Sequence, residues 1–358
     1  MAPQLVDQDS VVRALCAVWS EVLGVDVEAD DDFFELGGYS LLIVTVVAQA
    51  REHGITITAT DVFERKTPAA IAAGLARPSP TMAGDPDFAT VWATGRSPLD
   101  VEPDPTVIPL TDPGTGRPVF CFHWGAGNVR FLKETMDSVR GDRAVYGVES
   151  VGLWNRERPP LSMVEMATRY LREIRTIQPT GPYLLVGPCA GGRVAYEIAR
   201  QLTETGETVE LLALLNTMPP GATDLDPAWG PADYYDFRLA SLRDQFQVTS
   251  LTAGGDQLIA ALVATGKVDA EMDPADLHWR QAVWAAGIFA QEHYEPRRYN
   301  GAVTVFQLKE NAHLPEADWR RVAEVDELHT VDAADTLPLL RDPAVVEELR
   351  ARLAACAP

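Results

Sequence analysis

Tyr183-Leu-Leu-Val-Gly187-Pro188-Cys189-Ala190-Gly191-Gly192 sets the reading of this chain. Tyr183 to Val186 is a short apolar run, the size of a buried strand. Small residues follow, and a helical pattern begins at Arg193, so the chain turns sharply from strand to helix at Cys189. In such a turn the central residue is strained and its side chain stands clear of the backbone. Side chains at Gly187 or Gly191 would clash there. The helix starting behind Cys189 aims N–H groups and a partial positive charge at the sulfur, which favours thiolate. Gly-x-Cys-x-Gly in a strand–turn–helix context points to Cys189 as a nucleophile.

The surrounding chain alternates strands and helices from about Val107 onward. Short buried strands are expected at Val119–Phe122, Ala144–Val148, Tyr183–Val186, Val209–Leu215 and Ala302–Leu308. Amphipathic helices are expected at Met163–Ile177 and at Arg193–Leu202, the latter closed by Gly206. This alternation implies a mostly parallel α/β sheet. The stretch from Met218 to Tyr299 is helical, polar and far longer than a normal connection, so it reads as a lid inserted above the sheet.

Residues 1–77 read differently, as a small helical unit. Val11, Val12, Leu15, Val18, Trp19, Val22 and Leu23 recur with helical period, and Gly24 stops that helix. An acidic loop leads to a second apolar helix from Ser40 to near Gly54, and Thr67-Pro68 opens a third. From Arg77 to about Thr106 the chain is rich in Pro, Gly, Ser and Asp and has no periodicity, which suits a linker.

Composition bounds the function classes. The chain has 358 residues, 46% of them hydrophobic, enough for two domains with real cores. No run approaches ~20 uninterrupted apolar residues, so no transmembrane helix is expected. No basic, hydrophobic leader is seen. A net charge of −22 argues against nucleic acid and anionic membrane as partners. Cys16, Cys121, Cys189 and Cys356 lack metal-type spacing, so reduced thiols in a cytoplasmic protein and no metal centre are expected.

Two resemblances sharpen this reading. Asp31-Asp32-Phe33-Phe34-Glu35-Leu36-Gly37-Gly38-Tyr39-Ser40-Leu41-Leu42 resembles the phosphopantetheine attachment loop of carrier proteins, within a matching three-helix pattern over residues 7–77. The resemblance implies that Ser40 carries 4′-phosphopantetheine. Tyr39 departs from the usual His or Asp, which bears on partner preference. From about residue 107 to the end, the chain resembles the type I thioesterases that close nonribosomal peptide synthetases. The matching residues are Val119-Phe-Cys-Phe-His123-Trp124-Gly125-Ala126-Gly127, the elbow with Ile177-Gln-Pro-Thr-Gly before it, and Leu214-Leu215-Asn216-Thr-Met-Pro-Pro220. In that family the nucleophile is normally Ser.

The implied architecture is a small all-α carrier domain followed by an α/β-hydrolase domain, mostly parallel in its sheet, with a helical lid insertion. Its expected bounds are a carrier at 1–77, a linker at 78–106 and a thioesterase domain at 107–358 with its lid at about 219–300. The implied partners are upstream synthetase modules, a phosphopantetheinyl transferase and a peptidyl thioester substrate.

The resemblance also distributes roles. Cys189 is the nucleophile, and the oxyanion donors are the backbone N–H groups of Ala190 and Gly125. His123 fixes its own loop. The orienting acid is replaced by Asn216, which can still accept from an imidazole N–H, as in Cys-His-Asn proteases. The family's histidine position falls near Asp335 or Thr336, and no His follows His329. Two arrangements are open: His329 serves from a re-registered loop, or His313 meets Cys189 while Asp335 or Glu310 orients it. His53 lies in the carrier, and His278 and His293 in the lid region. The expected activity is release of a carrier-bound peptide through acyl-Cys189, by cyclisation to a product as strained as a β-lactam or β-lactone. Hydrolysis to a linear acid and a non-catalytic docking domain are the alternatives.

Overall fold

The computed structural model describes residues 8–38, 40–53, 55, 57, 61–62, 65–75, 86–97, 105–219, 228–246, 262, 264, 272–309, 311 and 318–357. The chain divides into two compact units, one of residues 1–91 with 224–281 and the other of residues 92–223 with 282–358.

The first unit is helical. Its described helices include α1 (Gln8–Leu23), α2 (Ser40–Glu52) and α3 (Pro68–Leu75). Val11, Leu15, Val18 and Trp19 recur along one face of α1 and pack with Ile43, Val46, Val47 and Ala50 of α2 and Ile71 and Ala72 of α3. Trp19 meets Phe33 edge-on at 5.0 Å between ring centroids. Gly24 ends α1 as expected, in a left-handed conformation at φ +69°. Thr67 caps α3 by accepting from the Ala70 amide at 3.2 Å.

The expected linker contains a short helix, α4 (Phe88–Ala93), which Asp87 starts by accepting from the Thr90 amide at 2.7 Å. Six residues cannot display a helical period, which is why the sequence shows none there. In the second unit Arg96 bridges to Glu157 in the manner of a strand.

The second unit is built on seven strands: β1 (Val107–Pro109), β2 (Gly116–Phe122), β3 (Arg143–Val148), β4 (Tyr183–Pro188), β5 (Val209–Leu215), β6 (Ala302–Leu308) and β7 (Glu324–Val331). Their order is β1-β3-β2-β4-β5-β6-β7; β1 runs antiparallel to β3 and every other pair is parallel. Helices α6 (Met163–Ile177) and α7 (Ala190–Glu204) cover one face. The other face packs on α5 (Lys133–Val139), α10 (Thr336–Arg341) and α11 (Pro343–Ala355). With apolar layers on both sides, the central strands read as continuous hydrophobic runs; all six residues of β4 are buried. Helices α8 (Pro231–Gln245) and α9 (Pro274–Glu292) come from the stretch between β5 and β6. Phe237 of α8 and Trp229 just before it pack on the apolar cluster of the first unit.

Strands β1 and β7 were not anticipated. β1 has three residues. β7 carries Glu324, Asp326 and Glu327 at the sheet edge, where charged side chains discourage pairing with a further strand. The two edges differ energetically from the centre. Leu185→Ala, at a fully buried site on β4, is expected to cost about 2–5 kcal/mol. Leu328→Ala on β7, where Leu328 is 38% exposed, is expected to cost under about 0.5 kcal/mol. Urea denaturation of the two variants measures the difference.

Candidate active site

Cys189 joins β4 to α7 at φ +47° and ψ −127°, a conformation that residues with side chains rarely adopt. The glycines around it are required by space. A Cβ on Gly187 would lie 2.4 Å from Gly192 Cα, and one on Gly191 would lie 2.3 Å from the His123 carbonyl oxygen. The neighbouring strand holds the turn. The Cys189 N–H donates to the Leu215 carbonyl at 2.9 Å, and the Thr217 hydroxyl donates to the Cys189 carbonyl at 2.9 Å.

The backbone amides of Ala190 and Gly125 lie near the Cys189 sulfur and pull its pKa down. Gly125 belongs to the loop after β2, with the Trp284 indole nitrogen 3.1 Å from where its Cβ would be. His123 sets that loop. Its Nδ1 donates to the Trp124 carbonyl at 2.7 Å, and its Nε2 accepts from the Tyr170 hydroxyl at 3.2 Å. Burial lowers its pKa to about 4, so the ring is neutral.

The balance at the sulfur differs from the expectation that a helix N-terminus favours thiolate. Cys189 is only partly exposed, and burial pushes its thiol above the ordinary value. The Asp335 carboxylate pushes in the same direction. The amides of Ala190 and Gly125 and the charge of Arg193 pull it down without reversing the result. Arg193 is itself paired with Glu292 at 2.6 Å, which spends part of its field elsewhere.

Asn216, at φ +49°, follows β5 directly beside the elbow. Its Nδ2 donates to Thr336 Oγ1 at 2.9 Å. Asp335 caps α10 by accepting from the Thr336 amide at 2.6 Å. Asn216, Thr336 and Asp335 thus meet at the position where the thioesterase resemblance places an acid and a histidine. His329 is elsewhere: it stacks on Phe306 at 4.8 Å, with Nε2 3.1 Å from Glu327 Oε2 and 3.8 Å from Glu348 Oε1. Its place within β7, facing α11, is the reason, since a loop residue would have been free to turn toward the elbow. His313 and Glu310 lie outside the described residues. His278 bonds Tyr235 at 2.8 Å, and His293 stacks on Phe289 at 4.1 Å. No described imidazole hydrogen-bonds Cys189.

Among the described residues one trio has metal-ligand proximity, Glu327, His329 and Glu348. Arg352 already pairs with both glutamates, at 2.8 Å to Glu348. Helix α2 begins at Ser40 after a turn that uses Gly37 at φ +93° and holds Gly38 by its N–H to the Phe33 carbonyl at 2.8 Å. A hydroxyl-bearing residue at a helix N-terminus suits a phosphodiester, because the unpaired N–H groups of the first turn face negative charge. Tyr39 lies outside the described residues. Thr217 and Trp284 escaped the sequence reading, because nothing local marks a Thr or Trp whose partner lies far away in the chain.

Residues 13–75 match the family described as phosphopantetheine attachment site, and residues 117–270 match the thioesterase domain family. The chain is a phosphopantetheine-binding domain followed by a thioesterase domain. The second is an enzyme domain of α/β-hydrolase type, and the cofactor of the first is 4′-phosphopantetheine, bound covalently to a serine. Over 207 residues the chain is 35% identical to a dimodular nonribosomal peptide synthase of Bacillus subtilis (strain 168), a match covering 57% of this chain and 8% of that one. It is 30% identical over 215 residues to an indigoidine synthase of Streptomyces lavendulae, covering 60% of this chain and 15% of that one. The chain therefore spans only a small part of the curated relatives it matches. Its fold is similar to part of a solved four-domain nonribosomal peptide synthetase with AMP and glycine bound, at TM-score 0.60 and 22% identity, covering 100% of this chain and 27% of that one.

The raised thiol has a measurable consequence. A group whose pKa is raised gains its anion at higher pH, so alkylation of Cys189 by iodoacetamide should keep accelerating as pH passes 9.0, the ordinary thiol value. Asp335→Asn removes a repelling negative charge and should move that profile to lower pH. Rates followed by peptide mass spectrometry check both outcomes.

Proposed function

We propose that the chain performs the terminal release step of a nonribosomal peptide synthetase through an acyl-Cys189 intermediate. In this reading residues 1–77 are the carrier, 78–106 the linker and 107–358 the thioesterase with its lid at about 219–300. The peptide arrives as a thioester on 4′-phosphopantetheine attached to Ser40. Upstream synthetase modules build it, and a phosphopantetheinyl transferase loads the serine. The observation that carries the proposal is the strained strand-to-helix turn that holds Cys189 between close-packed glycines and beside the Ala190 and Gly125 N–H groups.

Cys189 sulfur attacks the thioester carbonyl. The oxygen that becomes negative is held by those two N–H groups, a stabilisation worth on the order of 10²–10³ in rate per donor. The old carbon–sulfur bond then breaks, and the pantetheine sulfur leaves as a thiol with the proton that Cys189 gave up. Because the thiol's pKa is raised, that proton needs an acceptor. We take His313 as the acceptor, with Asp335, whose charge reaches Cys189, as its orienting group. The Asn216 amide nitrogen is engaged by Thr336, leaving Oδ1 as its acceptor atom. His329 is held between Glu327 and Glu348 and has no part in this scheme.

In the second step an amine or hydroxyl of the acyl chain attacks the same carbonyl and loses its proton. A ring closes, and Cys189 is regenerated. Transfer from one thioester to another is nearly isoenergetic, whereas transfer to a serine would dissipate part of the drive. Acyl-Cys189 therefore keeps the free energy needed for a strained ring, including a four-membered lactam or lactone. Thioesters also favour attack by amines over water. Hydrolysis to a linear acid is the competing outcome.

With a synthetic acyl group loaded on Ser40, wild type should accumulate a mass adduct on Cys189 and release mainly cyclic product. Ser40→Ala should abolish loading, and Cys189→Ala should abolish the adduct while leaving the loaded carrier intact. Cys189→Ser should slow release and raise the share of linear acid. Cyclic product from Cys189→Ser at the wild-type rate would remove the energetic argument for cysteine.

A further inference from the structure

Thr217 is 3% exposed and lies two residues beyond the end of β5. Its hydroxyl faces three main-chain carbonyls: Cys189 at 2.9 Å, Gly187 at 3.2 Å and Leu215 at 3.4 Å. One hydroxyl has one proton, and the shortest contact is to Cys189. The side chain reaches that carbonyl because Gly192 has no Cβ; one built there would lie 2.1 Å from Thr217 Oγ1. Thr217 is fixed in turn, since its own carbonyl accepts from the Trp319 indole N–H at 2.8 Å.

The Cys189 carbonyl and the Ala190 N–H are the two ends of one planar trans peptide and point in opposite directions. Whatever fixes the oxygen aims the N–H. A hydrogen bond to that oxygen also polarises the peptide and makes its N–H a stronger donor. The Gly192 amide donates to the same oxygen at 3.1 Å, but it belongs to the first turn of α7 itself and moves with it. Thr217 is the contact that ties this peptide to the sheet.

We infer that Thr217 is a positioning residue for the oxyanion donor at Ala190, acting through the carbonyl of Cys189. The inference rests on the proposed role of Cys189 as nucleophile. A buried threonine that merely finds an acceptor would stabilise the elbow without touching transition-state charge, and the two cases separate by reaction type. Acyl transfer creates an oxyanion; alkylation of the thiol by iodoacetamide does not.

The experiment uses the full chain with acyl-pantetheine on Ser40 and compares wild type, Thr217→Val and Thr217→Ser. Single-turnover acylation of Cys189 is followed by mass spectrometry, beside iodoacetamide alkylation of Cys189 in the unloaded chain. Thr217→Val keeps the shape and loses the hydroxyl. It should slow acylation about 10-fold or more, a fraction of what losing a whole donor costs, while alkylation stays within about twofold. Thr217→Ser should restore most of the acylation rate. Three results overturn the inference: Val acylating at the wild-type rate, Val slowing acylation and alkylation equally, or Ser failing like Val. Should wild type form no acyl-Cys189 at all, the proposed nucleophile falls first and the inference with it. Should Thr217→Val fail to fold, affinity of wild type and Thr217→Ser for a peptidyl aldehyde, whose adduct oxygen takes the oxyanion position, decides; equal affinity supports the inference and a loss of about 10-fold in Ser overturns it.

Discussion

Cys189 occupies a main-chain conformation that a residue with a side chain adopts at a cost of order 1–3 kcal/mol, and its neighbours are arranged to keep it there. The constraint reaches outward in three directions. It excludes side chains at Gly187, Gly191 and Gly192, each of which has backbone or a buried side chain where a Cβ would go. It joins β4 to β5, because Leu215 and Thr217 hold the N–H and carbonyl of Cys189. It also brings α7 close under the loop after β2, since Gly191 meets the His123 carbonyl. The N–H groups of Ala190 and Gly125, the proposed oxyanion donors, belong to these two packed segments, so their nearness to Cys189 is a consequence of the turn and not a separate feature.

The electrostatics follow from the same packing. The enclosed sulfur has lost water, and that loss outweighs the pull of the Ala190 and Gly125 amides on its pKa. The same enclosure explains His123. Buried and neutral, it serves as a polar strut between the Trp124 carbonyl and Tyr170, and an imidazole of such low basicity is a poor proton acceptor. Asn216 and Thr336 form a neutral pair where an acid and a histidine would have formed a charged one. Asp335 remains as the nearby negative charge, and it opposes ionisation of the thiol.

How far the sequence could be read depended on whether the signal was local. The elbow was legible because its signal is compressed into ten residues: an apolar strand, glycines where space forbids Cβ, and a helix start. Strands β4, β5 and β6 were legible because two apolar layers make them largely hydrophobic. β7 was not, because an edge strand bearing Glu324, Asp326 and Glu327 has the composition of a loop. Unrecognised as a strand, it left His329 seeming free to reach the elbow, whereas the ladder with β6 directs its ring onto Phe306. The partnership of Asn216 with Thr336 spans 120 residues, and the grip of Thr217 on Cys189 spans 28. Neither leaves a periodicity or a spacing to read.

In the proposed function Cys189 is a nucleophile whose ionisation is suppressed by its surroundings, at first sight poorly suited to catalysis. For a cysteine receiving an acyl group from another thiol the disadvantage is smaller, because the leaving sulfur requires the proton that the attacking sulfur surrenders. One proton acceptor can therefore serve both ends of the transfer. In the proposed function the enclosure that raises the thiol would also limit water around the acyl-Cys189 that follows. Under the cyclising reading, attack must come from within the acyl chain and ahead of solvent, so low hydration around residue 189 works in its favour. Ionisation of the free thiol and protection of the acyl-thioester make opposite demands on the hydration of one sulfur atom. Burial outweighs the amides and Arg193 together at this sulfur, a balance that lies on the side of protection.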